Sequence, residues 1–236
     1  LTEGHLQAAR RCKAIYSDAA EKSEGFFASK DSGAQATVTV DGSEAIVCFR
    51  GSDSVTDWYT NLRLCKVPFL SRKHKNPDLE VHSGFFLGHN SVKDKIYARL
   101  NEIVESGACD RILFVGHSAG ATLAKLSAFD YTNARGLKVE VVTFGSPKIG
   151  NAAFARSFDA SVACTRIVND SDGIALAPLF GGYHHVGDLI RLENCAPPNP
   201  VSLRDALLHF GRLDAVEDHG IDAYVAAIEL ALKKSN

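Results

Sequence analysis

The sequence has no methionine and only one tryptophan among its 236 residues. It begins Leu1-Thr2-Glu3-Gly4-His5, without an initiator methionine, so a preceding piece is expected to have been cut away. These first residues also lack the basic-then-apolar order of a signal peptide. No apolar run approaches the ~18 residues a membrane helix needs, which excludes a transmembrane helix. Excess charge is missing too: Lys+Arg 26 against Asp+Glu 28 leaves a net −2. Without a basic surplus to follow a phosphate backbone, a nucleic-acid partner is not expected. The absence of Cys-x-x-Cys argues against a zinc knuckle or a thioredoxin-type site. Neither a Gly-x-Gly-x-x-Gly nor a Walker pattern occurs, so nucleotide binding has no support. Repeats, low-complexity tracts and interdomain linkers are likewise missing, and the length suits a single domain over 1–236.

What is present is ordinary globular material. A hydrophobic share of 45% with 23% charged residues is enough for a sizeable core and too apolar for disorder. Of six cysteines, Cys48 and Cys164 lie in apolar runs and read as small buried hydrophobes, while Cys12, Cys65, Cys109 and Cys195 are free to pair. Leu6, Ala9, Cys12, Ile15, Tyr16 and Ala19 recur at helical spacing and predict an opening helix. Two β-rich runs, 36–40 and 45–49, flank Asp41-Gly42 and predict a hairpin. Val92, Ile96, Leu100 and Ile103 line one face of a long helix that Gly107 stops. Strands are expected at 111–115, 138–143, 164–168 and 189–192, and helices at 121–134, 202–210 and 220–233. Strands alternating with helices indicate an α/β fold with a mostly parallel central sheet flanked by helices.

The chemistry concentrates at Gly116-His117-Ser118-Ala119-Gly120, which follows a strand and opens a helix. A nucleophile elbow requires that setting: small residues let strand and helix pass close, and the serine is pushed out on a strained corner. Serine is too weakly acidic to attack an ester unaided and needs a histidine base oriented by an acid. Downstream, the strand ending at Asn169 offers Asp170 and Asp172, and the histidines available are His184, His185, His209 and His219. Spacing alone does not choose among these pairings, because such partners converge only in three dimensions.

From about Ala45 to Tyr224 the chain resembles the class 3 lipases, the fungal triacylglycerol lipase-like group of α/β hydrolases. The blocks that carry the resemblance are Phe49-Arg50-Gly51-Ser52, Val81-His82-Ser83-Gly84-Phe85, the elbow, and Thr143-Phe144-Gly145-Ser146-Pro147-Lys148-Ile149-Gly150-Asn151. They continue with Arg166-Ile167-Val168-Asn169-Asp170-Ser171-Asp172 and Asp218-His219. The resemblance implies an α/β-hydrolase fold with Ser118 as nucleophile, Asp172 as orienting acid and His219 as general base. It leaves Asp170 a loop residue and gives His185 a structural place, while His82 and His117 read as packed, hydrogen-bonded histidines. It places the oxyanion hole at the backbone N–H groups of Ser52 and Ala119, with the Ser52 hydroxyl as a further donor. Ala119 and Ala121 stand where Leu and Gly are usual in the family, which makes the wall beside the nucleophile smaller.

The segment 54–62 lies where fungal members carry a lid helix. Its Val55, Trp58, Tyr59 and Leu62 at near-helical spacing would cover the site, or else form a short amphipathic helix packed permanently on the core. The basic run 71–76 reads as a solvated loop, with attraction to anionic lipid as the weaker reading. The expected function is hydrolysis of carboxylic esters, lipid esters first, without metal or cofactor. A feruloyl-type or soluble-ester esterase, a phospholipase A1, and an inactive lipase-like binding protein are the alternatives. The resemblance favours a secreted monomer, with a lipid or other ester as its partner.

Overall fold

The computed structural model describes residues 1–51, 65–71, 74–135, 139–169, 172–192 and 219–235. The helix expected at 202–210 lies outside these residues, as do Ser52, Val55, Trp58, Tyr59, Leu62, Asp170, Cys195 and His209.

Helix α1 (Glu3–Ala14) opens on Thr2, whose side chain caps the His5 N–H. The sequence periodicity ran on to Ala19, but the helix stops at Ala14, and the Ser17 hydroxyl donates to the Ala14 carbonyl. A single turn, α2 (Asp18–Glu21), follows. The first strands are β1 (Phe26–Ala28), β2 (Gln35–Asp41) and β3 (Glu44–Phe49). The last two form the hairpin expected around Asp41-Gly42, with Gly42 at φ 58° supplying the left-handed turn residue. Two short strands, β4 (Lys66–Pro68) and β5 (Glu80–His82), pair as a separate antiparallel ribbon. The long helix α3 (Ser83–Glu105) buries Phe85, His89, Val92, Ile96, Leu100 and Ile103 along one stripe. Strand β6 (Arg111–His117) leads through the elbow into α4 (Ala119–Arg135). The chain then runs through β7 (Val139–Phe144), α5 (Ala152–Asp159), β8 (Ala163–Asn169), β9 (Asp188–Leu192) and α6 (Ile221–Ser235).

The main sheet has the order β1-β2-β3-β6-β7-β8-β9, antiparallel at the β1 edge and parallel from β3 onward. Its central strands are apolar in continuous runs because each face meets a helical layer. Ala45, Val47, Phe49, Ile112 and Phe114 join the core under α3, α4 and α5. Ile46, Cys48, Leu113, Val115 and Phe144 join the core under α1 and α6. Cys12 lies buried in this second core with its thiol hydrogen-bonded to Cys48, and no disulfide occurs among the described residues.

The basic run is less free than its charge suggests. Ser71 N–H donates to the His74 carbonyl, and the His74 ring stacks on Phe129 of α4 at 4.3 Å. Ser71 and His74 are thus tied to the fold, Lys75 and Asn76 are exposed, and Arg72 and Lys73 lie outside the described residues.

Close approach at the elbow sets the residue types there. A Cβ on Gly120 would sit 2.5 Å from the carbonyl oxygens of both Phe49 and Arg50, so β3 has no room for a side chain. Gly33, at φ 69°, faces open space and is constrained by conformation alone. Gly120→Ala is expected to lower the unfolding free energy in urea by about 1–3 kcal/mol through overpacking. Gly33→Ala should cost about 1 kcal/mol, the strain of a left-handed residue. An unchanged urea midpoint for Gly120→Ala would contradict the close approach.

Candidate active site

Ser118 sits between the end of β6 and the start of α4 at φ 58°, the sole non-glycine residue with positive φ among the described residues. Such a backbone is disfavoured by about 1–3 kcal/mol and persists where its surroundings over-determine it. Here the Ser118 N–H donates to the Phe144 carbonyl at 3.0 Å, and the Ser118 carbonyl accepts the Ala121 N–H at 3.0 Å. A Cβ on Gly116 would lie 2.6 Å from the Gly120 carbonyl carbon, so the turn closes with no space to spare. Ala119 is the first residue of α4, and N–H groups in a first helical turn have no acceptor within their own helix. This end of the helix also favours negative charge.

Asp172 follows β8 in a tight turn, its N–H donating to the Asn169 carbonyl at 3.1 Å. Its Oδ1 accepts the N–H groups of Ile174 and Ala175 at 2.9 and 3.2 Å. Its Oδ2 accepts Nδ1–H of His219 at 2.8 Å and the Tyr224 hydroxyl at 2.5 Å. Acid and base are both buried, at 2% exposure each. A carboxylate can only accept, so the His219 proton lies on Nδ1 and Nε2 is left bare. That Nε2 is buried and has no hydrogen-bond partner among the described residues. Of the pairings left open by spacing, the structure brings together Asp172 and His219. His184 is exposed, and its backbone is bonded to Gly150 and Ile149. His185 is held near neutrality of charge by burial and then by the Arg166, Lys125 and Lys148 cations, which push its pKa down to about 2.

Gly145 packs directly against the Asp172–His219 pair. This residue follows Phe144, the acceptor of the Ser118 N–H, and has φ 57°. A Cβ there would lie 2.7 Å from Asp172 Oδ2 and 2.9 Å from His219 Nδ1. The next residue, Ser146, accepts a 2.8 Å hydrogen bond from Nζ of the fully buried Lys125. Burial pushes that lysine down to about 8. Lys125 thus pins the turn that passes beneath the Asp–His pair. Neither Lys125 nor Tyr224 was picked out by the sequence. Tyr224 lies one turn into α6 from His219, and only its place in space reveals that it faces the carboxylate. His82 behaves as a packed histidine: its Nδ1 accepts the Gly84 N–H at 3.1 Å, and burial lowers its pKa to about 4.

Comparison with known proteins adds a family. A family model described as lipase (class 3) matches residues 46–181, more than half of the chain. A secreted mono- and diacylglycerol lipase of Penicillium cyclopium is 31% identical over 149 residues, covering 61% of this chain and 46% of its own length. A chloroplastic/mitochondrial phospholipase A1 of Oryza sativa subsp. indica is 31% identical over 156 residues, covering 57% of this chain and 36% of its own. The chain thus spans about half the length of such relatives, or less. Among solved structures, a triacylglycerol lipase whose catalytic centre is a serine-protease triad superposes with a TM-score of 0.67 at 23% identity. It covers 80% of this chain and 77% of its own. This likeness establishes the α/β-hydrolase fold.

The buried histidines predict acid sensitivity. His82, His117 and His185 have folded pKa values of about 4, 3 and 2, below the ordinary 6.5. Between those values and 6.5 the unfolded chain binds protons that the folded chain refuses, so stability falls as pH drops through this window. Each contributes a slope of up to about 1.4 kcal/mol per pH unit. Urea unfolding at pH 7, 6 and 5 should show a progressive loss, and a flat profile would contradict neutral, buried rings.

Proposed function

This chain belongs to the class 3 lipase family, and on that premise we propose that it is a serine carboxylic-ester hydrolase acting on lipid esters through an acyl-enzyme on Ser118. The observation that carries the reading is the buried 2.8 Å contact between His219 Nδ1 and Asp172 Oδ2, set beside a serine on a left-handed elbow. In this reading the bare Nε2 of His219 takes the Ser118 hydroxyl proton as Oγ attacks the ester carbonyl. The tetrahedral oxyanion is stabilised by the Ala119 N–H at the start of α4, and such preorganised donors are usually the largest catalytic term. The Ser52 N–H and hydroxyl are proposed as its partners on family resemblance. Collapse expels the alcohol, which receives the proton from Nε2, and water then repeats the sequence on the acyl-enzyme.

Asp172 holds the imidazole tautomer and balances its transient charge; its four donors fix it in place. Acylglycerols are the first proposed substrates, supported by the acylglycerol lipase of Penicillium cyclopium. The rice relative favours phospholipase A1 activity as the second reading. Secretion is proposed on the Penicillium relative, whose printed name says secreted. No described helix is long and apolar enough to cross a membrane.

A serine-directed phosphonate should label Ser118, and Ser118→Ala should abolish labelling and reduce turnover by about 10⁵-fold or more. His219→Ala should be about as damaging, and Asp172→Asn should cost about 10⁴-fold by leaving the wrong tautomer. His185→Ala should retain most activity in folded protein. Rates on emulsified acylglycerol, phosphatidylcholine vesicles and dissolved p-nitrophenyl esters decide the substrate class. A preference for the dissolved esters would replace the lipase reading with a soluble esterase. Labelling that persists in Ser118→Ala would refute the nucleophile.

A further inference from the structure

We propose that Tyr16 and His117 form a positioning relay that ties the backbone beside the nucleophile to the residue carrying the general base. The proposal rests on the serine-hydrolase reading above. Tyr16 lies just past the end of α1, and its hydroxyl oxygen accepts the Gly51 N–H at 3.0 Å. The same hydroxyl lies 3.0 Å from His117 Nδ1, and His117 Nε2 lies 2.6 Å from the His219 carbonyl oxygen. The rings of His117 and His219 are 4.8 Å apart.

The partners fix where every proton sits. The His219 carbonyl can only accept, so His117 Nε2 carries a hydrogen. Burial lowers the His117 pKa to about 3, so the ring is neutral. A neutral imidazole protonated on Nε2 is bare on Nδ1, and Tyr16 must therefore donate its O–H there. The Tyr16 oxygen at the same time accepts from Gly51. One arrangement satisfies all three contacts, and it runs without a gap from Gly51 to His219.

Both ends of this line touch the reacting groups. A Cβ on Gly51 would lie 3.0 Å from the Ser118 Cβ and 2.9 Å from the His117 carbonyl oxygen, so the Gly51 backbone packs directly on the elbow. At the other end is the backbone of His219 itself. Tyr16 is held in turn from outside: the Arg50 guanidinium lies over its ring at 5.0 Å and donates to Glu21 and Gln35 at 3.1 and 2.9 Å. His117 and Ser118 are adjacent in sequence, so any shift of the His117 ring moves base and nucleophile relative to one another. Tyr16 and His117 touch no substrate in this arrangement. Their effect is on distance and angle, where an error of about 1 Å can cost about 10²-fold in rate.

The experiment uses the full chain with p-nitrophenyl butyrate and a phosphonate probe. Tyr16→Phe keeps the ring under Arg50 and removes both hydroxyl contacts. His117→Gln keeps a donor for the His219 carbonyl and removes the acceptor for Tyr16. Each should lower kcat by about 10–100-fold with KM within about twofold of wild type, and should slow Ser118 labelling in parallel. Because they break one line, the double variant should be no slower than the slower single. A merely structural tyrosine would lower the melting temperature and leave kcat per folded molecule unchanged, which overturns the relay. Losses that multiply in the double variant also overturn it, since the two would then act separately. A wild-type protein that takes no phosphonate at Ser118 overturns the serine-hydrolase reading, and the relay falls with it.

Discussion

A serine backbone forced into the left-handed region is the constraint around which this molecule is organised. Left alone, the turn at Ser118 would relax, at a gain of about 1–3 kcal/mol. It does not relax because β6 is clamped on either side by parallel neighbours and α4 is packed against the carbonyls of β3. The parallel order then determines what surrounds the serine. Strands β3, β6, β7 and β8 are consecutive in the sheet and all end at one edge, the crevice where ligands bind in open α/β sheets. Each end delivers one part: Gly51, Ser118, Gly145 and the Asp172 turn. The site is a cross-section of four adjacent strands.

The buried charges follow from this arrangement. Asp172 is ringed by four donors, which compensates for removing a carboxylate from water. Lys125 has a different solution, a hydroxyl partner and a lowered proton affinity. On the far part of α4, Asp130 is buried, yet His89 and Lys93 hold it ionised and keep its pKa at about 2. Burial opposes that ionisation, and the neighbouring His89 and the Lys93 cation outweigh it.

Much of the fold was legible because period and punctuation agree. The Asp41-Gly42 hairpin, the apolar β6 run and the helix through Val92, Ile96 and Leu100 all appear where the sequence puts them. The short pieces were not legible. Strands β1, β4 and β5 have three residues each, too few to show a period, and β4 ends on a proline. Helix α5 was overlooked as well, although Asn151 caps it by accepting the Phe154 N–H. For the site, the elbow at Ser118 could be read from Gly116-x-Ser118-x-Gly120, since its constraint is local. The pairing of Asp172 with His219 could not be read from spacing, because the two meet only at the sheet edge; family resemblance supplied the choice. Tyr16 belongs to the same class of invisible residue: in sequence it is one more apolar position on a helix that in fact ends two residues earlier.

The layer beneath the sheet also has a bearing on time. Helices α1 and α6 come from stretches far apart in sequence, yet they share one core with Ile46, Leu113 and Phe144. Arg10 meets Glu229 and Lys13 meets Asp222 across their seam. During synthesis α1 emerges well before α6 and waits, its apolar stripe uncovered, until the residues through α6 have followed. His219 arrives just ahead of α6, long after the elbow bearing Ser118 has left the ribosome. A nascent chain therefore holds Ser118 on its elbow before His219 has been made to pair with Asp172, and the apolar stripe of α1 is covered only when α6 closes against it.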